Sequence, residues 1–344
     1  MSPEKRPTAR RASRRGPANG DMHRRVVSPF LSGIVVALLL LAPAYLLPEN
    51  EEGGHGPREY VPHPAQVITD DLGRPFPLPA ATPERIVSMA PNVTEILFAL
   101  GLGDRVVGVT RFCDYPPETR SIPKIGGLVD PNIEIIQSLE PDLVIAFRGN
   151  PLRLVDRIRK LGLPVFVLDI GEGLEALSPL IERIGRVTRT ERRAAGVAGL
   201  LRGRLEASDA ALRDGLSKPK VFVLLYGQGL WTCGGQSYVN DLIGRAGGTN
   251  VASLLPKKWA LYKREQIIKD DPDVVFILAR TVGDFTSGRD RLLRMPGIEG
   301  VAAARSGRIF ELDENAASRF GPRLVDVLER MAALLHPDRF GGRR

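Results

Sequence analysis

Two segments of the chain repeat one another, and this repeat constrains the fold more than any other feature. Residues 134–145 (EIIQSLEPDLVI) align without a gap to residues 265–276 (EQIIKDDPDVVF). Each has a helical stretch that begins with Glu, a Pro-Asp stop, and an apolar run that is typical of a buried strand. A second pair, residues 163–169 (LPVFVLD) and 307–313 (GRIFELD), follows in the same order. The repeats predict two related lobes within one chain.

Around the repeats, short β-branched runs alternate with helical stretches, as in parallel βα units. The sequence therefore predicts an α/β fold of two βα lobes with parallel sheets and a ligand cleft between them. The Leu-, Ala-, Arg- and Glu-rich region 175–217 predicts one long, rigid helix that joins the lobes and restricts them to small movements. The expected strands are 85–89, 106–109, 143–146, 165–168, 221–225, 274–278 and 309–312, and helices are expected at 94–101 and 132–139.

The predicted lobes occupy residues 67–174 and 218–338. The first lobe opens with a hairpin over 67–80, because Asp71–Gly73 has the composition of a tight turn between two apolar runs. Residues 48–66 precede it and are rich in Pro, Gly and Glu, which is typical of a flexible tether.

The chain carries a net charge of +8, which is concentrated at its N-terminus. Residues 1–28 contain eight cations and two anions and contribute +6, so the rest of the chain carries only +2. The basic character belongs to a short cytoplasmic segment and gives no indication that the folded lobes bind nucleic acid.

Residues 29–47 form an apolar stretch about long enough to cross a bilayer. Cations precede it and Glu residues follow it, which places the N-terminus in the cytoplasm and the lobes outside. The stretch is either a retained transmembrane anchor or a signal peptide cleaved near Ala42–Ala44. A lipid anchor would need a nearby cysteine, which the sequence lacks. Translation could start at Met1 or at Met22.

Catalytic motifs are missing from the predicted lobes. No histidine lies between Pro64 and Leu335, which argues against Ser-His-Asp and Cys-His catalysis and against a His-rich metal site. Gly101 and Gly103 follow a predicted helix instead of opening one, so they do not form a dinucleotide fingerprint. The sequence predicts a protein that is not an enzyme and carries no cofactor or metal. Its two cysteines are expected to be separate thiols.

The residues that follow the predicted strands form the candidate ligand site. Ligands of open parallel sheets gather beyond the carboxyl ends of the strands. Aromatic residues and arginines dominate these positions, and they suit a large flat or apolar ligand with anionic groups. Arg280 follows a strand of the second lobe and could also pair with an anionic group. The candidate ligand-binding residues are Pro91, Asn92, Arg111, Phe112, Phe147, Arg148, Tyr226, Trp231 and Trp259.

Three segments resemble a known family: residues 85–95 (RIVSMAPNVTE), 108–117 (GVTRFCDYPP) and 141–149 (PDLVIAFRG). They are similar to the helical-backbone (class III) solute-binding proteins of ABC importers, and most similar to the cobalamin-binding members. The resemblance covers residues 84–336. It implies a two-lobed extracytoplasmic protein that captures cobalamin or a related corrinoid. Haem or a ferric siderophore is the alternative ligand, and an anchored sensor or adaptor on the same fold is the alternative role.

The resemblance also implies roles for individual residues. Phe112, Phe147, Tyr226 and Trp259 match positions where cobalamin-binding members place aromatic residues around the corrin. Leu128 departs from that pattern, because those members have a tryptophan at the equivalent position.

Partners and location follow from the same resemblance. Glu134 and Glu265, one in each lobe, match the glutamates with which the family docks on arginines of the permease. The implied partners are the importer's permease and ATPase. We expect a monomer at the outer face of the cytoplasmic membrane, anchored by or secreted through residues 29–47.

Overall fold

The computed structural model of the protein describes residues 62–212 and 217–340. The predicted basic segment, the predicted anchor or signal peptide, and the predicted tether up to residue 61 lie outside these residues. Among the helices that the structure does describe, none has the length and apolar character needed to cross a membrane.

A hairpin opens the described part of the chain. Strands β1 (Pro62–Thr69) and β2 (Pro75–Pro79) pair antiparallel, and Pro62 already faces Pro79. Residues 62–66, which were expected in the tether, therefore belong to this strand. The predicted turn is confirmed: the carboxylate of Asp70 accepts bonds of 2.9 Å from two turn amides, and Gly73 has a positive φ of 76°.

The N-terminal lobe has the predicted parallel sheet of four strands, and their order is β4-β3-β5-β6. Alternate residues of its strands lie in two different apolar clusters, so both faces of the sheet are buried. Its elements are β3 (Ile86–Ser88), α1 (Pro91–Ala99), β4 (Val106–Val109), α2 (Ile133–Ser138), β5 (Leu143–Phe147), α3 (Leu152–Lys160) and β6 (Val165–Leu168).

The link between the lobes is helical but is not the single helix that was expected. It consists of α4 (Leu177–Val187) and α5 (Glu191–Ala211), which pack against each other. Arg189 interrupts the helix with a positive φ of 55°, and its guanidinium donates to the carbonyl of Pro79 at 2.6 Å. Helix α4 contacts the N-terminal lobe, whereas α5 packs on a helix of the C-terminal lobe. One apolar core runs through both helices into both lobes.

The C-terminal lobe has a mixed sheet, with the strand order β10-β8-β7-β11-β12 and β9 beside β7. Strands β8 and β10 each pair antiparallel with a neighbour, so the prediction of a wholly parallel sheet is wrong here. Only a short loop separates β7 from β8, and it is far too short for the crossover that parallel strands need. The lobe contains β7 (Lys220–Leu225), β8 (Trp231–Cys233), α6 (Tyr238–Arg245), β9 (Thr249–Asn250), β10 (Trp259–Leu261), α7 (Arg264–Asp270), β11 (Val274–Ala279), α8 (Val282–Leu293), α9 (Ala302–Arg305), β12 (Ile309–Asp313), α10 (Glu314–Ser318), α11 (Leu324–Leu335) and α12 (Pro337–Phe340).

The sequence repeat is also a structural repeat. Its first half forms α2 with β5 and α7 with β11, and both strands are central in their sheets. Glu140 and the equivalent Asp271 both have a positive φ, because the proline that follows each of them disfavours the right-handed helical region. Asp142 then accepts from the amides of Glu84 and Arg85 before β3, and Asp273 accepts from the amide of Lys220 at the start of β7. The Pro-Asp pairs thus end a helix and bind the start of a neighbouring strand in both lobes.

Candidate functional site

The carboxyl ends of the two sheets face each other. The loop after β4 contacts the segment after β12: the Asn315 amide donates to the Asp114 carboxylate at 3.0 Å. The loop after β6 reaches α6, where the Leu174 amide donates to Asp241 at 2.8 Å. The structure therefore brings the carboxyl ends of β4 and β12, one from each lobe, into contact.

On the N-terminal lobe, Arg111 and Phe112 form the exposed part of this edge. The Phe112 residue is 46% exposed, and the Arg111 guanidinium lies 5.1 Å from its ring centroid. Arg111 also pairs with Asp130 at 2.9 Å, and its hydrogen bond and charge lower the pKa of that carboxyl. Arg148 is exposed and pairs with Asp169 at 2.9 Å.

The other predicted N-terminal residues are less accessible. Pro91 begins α1 directly after β3, and Asn92 is buried. Phe147 and Leu128 are partly buried against the core. Sequence reasoning missed buried Asn150, whose side-chain amide donates to the carbonyls of Met89 and Leu128 and accepts from the backbone amide of Phe147.

On the C-terminal lobe, Trp231 and Leu261 lie side by side. They face each other in the register of β8 and β10, next to the carboxyl end of β7, and are 38% and 60% exposed. Trp259 faces Cys233, two residues further from that edge, and is half-buried against the core. Tyr226 packs on the opposite face of the sheet, in the apolar cluster that α8 covers. Leu261 was not predicted, although it continues the alternation of Trp259 along its strand.

A buried ionic cluster joins the two lobes. The carboxylate of Glu95 in α1 is only 2% exposed and accepts from Arg323 at 2.6 and 3.0 Å. Arg319, from the segment before α11, lies 3.4 Å from the same carboxylate. Burial opposes the charge of Arg323, but the hydrogen bond and charge of Glu95 raise its pKa overall. Isolated buried charges are very costly, so the buried carboxylate of Glu95 depends on the two cations that the other lobe supplies.

Arg319 extends this cluster to the loop that carries Phe112. Its guanidinium donates to the carbonyl oxygen of Phe112 at 2.9 Å and to the carboxylate of Asp114 at 2.5 Å. Burial favours a higher pKa for Asp114, but the hydrogen bond and charge of Arg319 outweigh it and lower that pKa. Arg323 lies 4.1 Å from the ring centroid of Tyr115.

Both cysteines are free and buried, one in each lobe, as expected. The Cys113 sulfur bonds with the hydroxyls of Thr94 and Thr110 at 3.2 and 3.1 Å. Burial raises the pKa of Cys113, and it raises the pKa of Cys233 to about 12. Both are therefore thiols at neutral pH, and thiols react poorly as nucleophiles.

Glu134 and Glu265 occupy equivalent exposed positions in the first turns of α2 and α7. Glu134 lies 3.4 Å from Arg157, and Glu265 lies 2.6 Å from Arg264. Their side chains are 73% and 68% exposed, so both carboxylates are accessible from solvent.

A groove of 790 Å³ lies on the C-terminal lobe, between α8, α11 and the edge strand β12. Arg280 lines it, as do Arg323 of the buried ionic cluster and Asp313, which pairs with Arg323 at 3.2 Å. The predicted strand-end aromatics do not line it. Across residues 62–212 and 217–340, no group of three or more His, Cys, Asp or Glu side chains is arranged to hold a metal ion.

Comparison with known proteins places this architecture among binding proteins. A model of the periplasmic binding protein family matches residues 86–316. The vitamin B12-binding protein of Yersinia pestis is 30% identical over 221 residues, which cover 63% of this chain and 76% of that protein. The ABC transporter substrate-binding lipoprotein YvrC of Bacillus subtilis is 29% identical over 266 residues, which cover 75% and 82%.

A solved structure shares the fold. The periplasmic heme-binding protein RhuT from Roseiflexus sp. RS-1 superposes with a TM-score of 0.68 at 30% identity. The match covers 74% of this chain and 99% of that one, so it extends over both lobes.

Proposed function

The chain belongs to the periplasmic binding protein family, and we propose that it captures cobalamin or a related corrinoid between its lobes and delivers it to an ABC importer. The family consists of solute-binding proteins and not of enzymes. The observation that carries the proposal is the exposure of large apolar side chains at both facing sheet edges. Phe112 projects from the N-terminal lobe, and Trp231 with Leu261 from the C-terminal lobe.

These side chains suit a flat ligand of tetrapyrrole size. Aromatic rings stack on such a macrocycle and gain about 25 cal/mol for each Å² of apolar surface that they bury. The Arg111–Phe112 pair would place a cation beside the ring, where carboxylate or amide groups at the ligand's rim could bind it. The relative from Yersinia pestis, a vitamin B12-binding protein, supports a corrinoid.

Haem is the second candidate, and a ferric siderophore is a further iron-containing candidate. The Roseiflexus relative, a heme-binding protein, supports haem at similar identity. Arg111, Arg148 and Arg280 are exposed and could bind anionic groups, and the phenol of Tyr115 could approach an iron.

Intrinsic fluorescence can identify the ligand, because the chain has only two tryptophans. We expect cyanocobalamin to quench the tryptophan fluorescence of the purified protein. Haemin and a ferric siderophore are titrated in parallel. Trp231→Phe should remove most of the response, and Trp259→Phe, the matched variant with a half-buried ring, should keep it. No response to the corrinoid would exclude the first candidate, and a response to haemin alone would select the second.

Delivery to a permease would use Glu134 and Glu265. Both are exposed, and the internal repeat places one on each lobe, as two-point docking on a pair of related permease subunits requires. Reversal of both charges to Arg should abolish uptake in cells while ligand binding stays unchanged. Reversal of Glu118 and Glu299, which are exposed elsewhere on the two lobes, is the control. Normal uptake by the Glu134→Arg/Glu265→Arg protein would contradict the docking role.

The proposal includes an extracytoplasmic location, reached through residues 29–47 as an anchor or as a cleaved signal. The mass of the mature chain separates these two fates, and a carbonate wash of membranes tests anchoring. A sensor or adaptor role on the same fold predicts normal ligand binding without uptake, and without a neighbouring permease and ATPase in the genome.

A further inference from the structure

The loop Arg111–Asp114, here termed the Phe112 loop, belongs to the N-terminal lobe but is held from the C-terminal lobe. Arg319 binds the Phe112 carbonyl oxygen and the Asp114 carboxylate, and Asn315 binds the other oxygen of that carboxylate. Within its own lobe, the Arg111 amide donates to the Gly126 carbonyl at 2.8 Å, the Arg111 guanidinium pairs with Asp130, and the Cys113 sulfur bonds with two threonine hydroxyls.

The two sides of the Phe112 loop differ in exposure. The Phe112 residue is 46% exposed to solvent. The Phe112 carbonyl oxygen and the Asp114 carboxylate instead bind Arg319, whose side chain is only 10% exposed. A peptide carbonyl bound by a buried cation cannot rotate freely, so the Cα–Cβ bond of Phe112, from which the ring projects, is restricted in direction.

Arg323 provides an internal comparison. Its side chain is 14% exposed, similar to that of Arg319, and it binds the same Glu95 carboxylate. Its other contacts are with Asp313 and the ring of Tyr115, and it makes no hydrogen bond to the Phe112 loop. Arg319 and Arg323 thus both pair with Glu95 across the lobes, but only Arg319 also forms hydrogen bonds with the Phe112 loop.

We propose that Arg319 is a positioning residue for ligand capture. It holds the Phe112 loop of one lobe from the other, so the direction of the Phe112 ring depends on contact between the lobes. Arg319 itself does not need to touch the ligand. The consequence for binding rests on the function proposed above, whereas the consequence for the loop does not.

Hydrogen exchange in the ligand-free full chain tests the positioning directly. Arg319→Met should speed exchange of the Arg111 and Cys113 amides by about tenfold or more, the effect of losing a hydrogen bond to a charged group. Arg323→Met, the matched variant, should leave these amides close to their normal rate. Equal rates in the two variants, or no change in either, would overturn the proposal.

A double-mutant cycle then tests the effect on binding, with cyanocobalamin and haemin as probes. Phe112→Ala should weaken binding of the accepted probe by about tenfold in the otherwise unchanged protein. The same substitution should have little further effect in the Arg319→Met background but its full effect in the Arg323→Met background. A full effect in both backgrounds would also overturn the proposal.

Two provisions keep the tests independent of folding and of ligand identity. If Arg319→Met does not fold, Asp114→Asn removes the loop's side of the contact, and the same acceleration of exchange is expected. If neither probe binds the unchanged protein, the proposed ligand class fails, while the exchange rates still decide the role of Arg319.

Discussion

Replacement of Glu95 by Gln should destabilise the protein by about 3 kcal/mol, at the lower end of the 3–5 kcal/mol typical of broken buried ion pairs. The substitution keeps the shape of the side chain, which is 2% exposed, but removes the negative charge that pairs with both Arg319 and Arg323. The loss stays near the lower limit because each arginine retains another carboxylate, Asp114 at 2.5 Å and Asp313 at 3.2 Å.

Urea unfolding followed by circular dichroism measures this loss. Glu182→Gln is the control, because Glu182 forms an exposed pair with Arg202 at 3.4 Å and should contribute less than about 1 kcal/mol. Apolar replacement of Glu95 together with both interlobe arginines should recover most of the stability, since no buried charge is left without a partner. A Glu95→Gln protein as stable as the control would refute the reasoning.

Three further predictions concern the site and its titrating groups. Leu261→Ser should weaken binding of the accepted ligand by about tenfold, measured by fluorescence titration, whereas Leu254→Ser, which changes an exposed leucine outside β8 and β10, should not. The lowered pKa of Asp114 means that its ion pair stabilises the protein above about pH 4, the range of an ordinary Asp, and that this contribution is lost as the pH falls further. Asp114→Asn should therefore destabilise the protein more at pH 7 than at pH 3, and an equal effect at both values would contradict this. Cys113 and Cys233 should resist iodoacetamide at pH 8 until the chain is unfolded, when mass spectrometry should show two labels; labelling of the native protein would contradict their burial.

The two-lobed fold could be predicted because its signals are local. A Pro-Asp pair ends a helix and begins a strand through short-range contacts, and the chain contains this phrase twice, at Pro141 and Pro272. The direction of β8 and β10 could not be predicted in the same way, because each strand has only three residues and its sequence resembles that of a loop. The break at Arg189 was also missed, since the Leu-, Ala- and Arg-rich composition on both sides favours helix.

The candidate site could be predicted only in part. Strand ends identified Phe112 and Trp231, which are exposed at the facing edges, but also Tyr226 and Trp259, whose rings are half-buried. Tyr226 lies on the opposite face of the sheet, whereas Trp259 shares the face of Trp231 but lies two residues further from the edge. Strand-end position alone specifies neither the face nor the depth.

The interlobe cluster was missed because its partners are more than 200 residues apart. One signal was nevertheless present in the sequence. Glu95 lies among the apolar residues of α1, where a carboxylate is rarely buried without a cation to pair with it. Arg319 and Arg323, spaced four residues apart near the C-terminus, were the cations to consider.

The claim that the ligand is bound between the lobes can be tested by calorimetric titration of three proteins with cyanocobalamin: the unchanged chain, Phe112→Ala and Trp231→Ala. We predict one ligand per chain and a loss of affinity of about tenfold in each variant, because each removes an aromatic contact from a different lobe. Undiminished affinity in either variant would show that one lobe suffices and would contradict capture between the two.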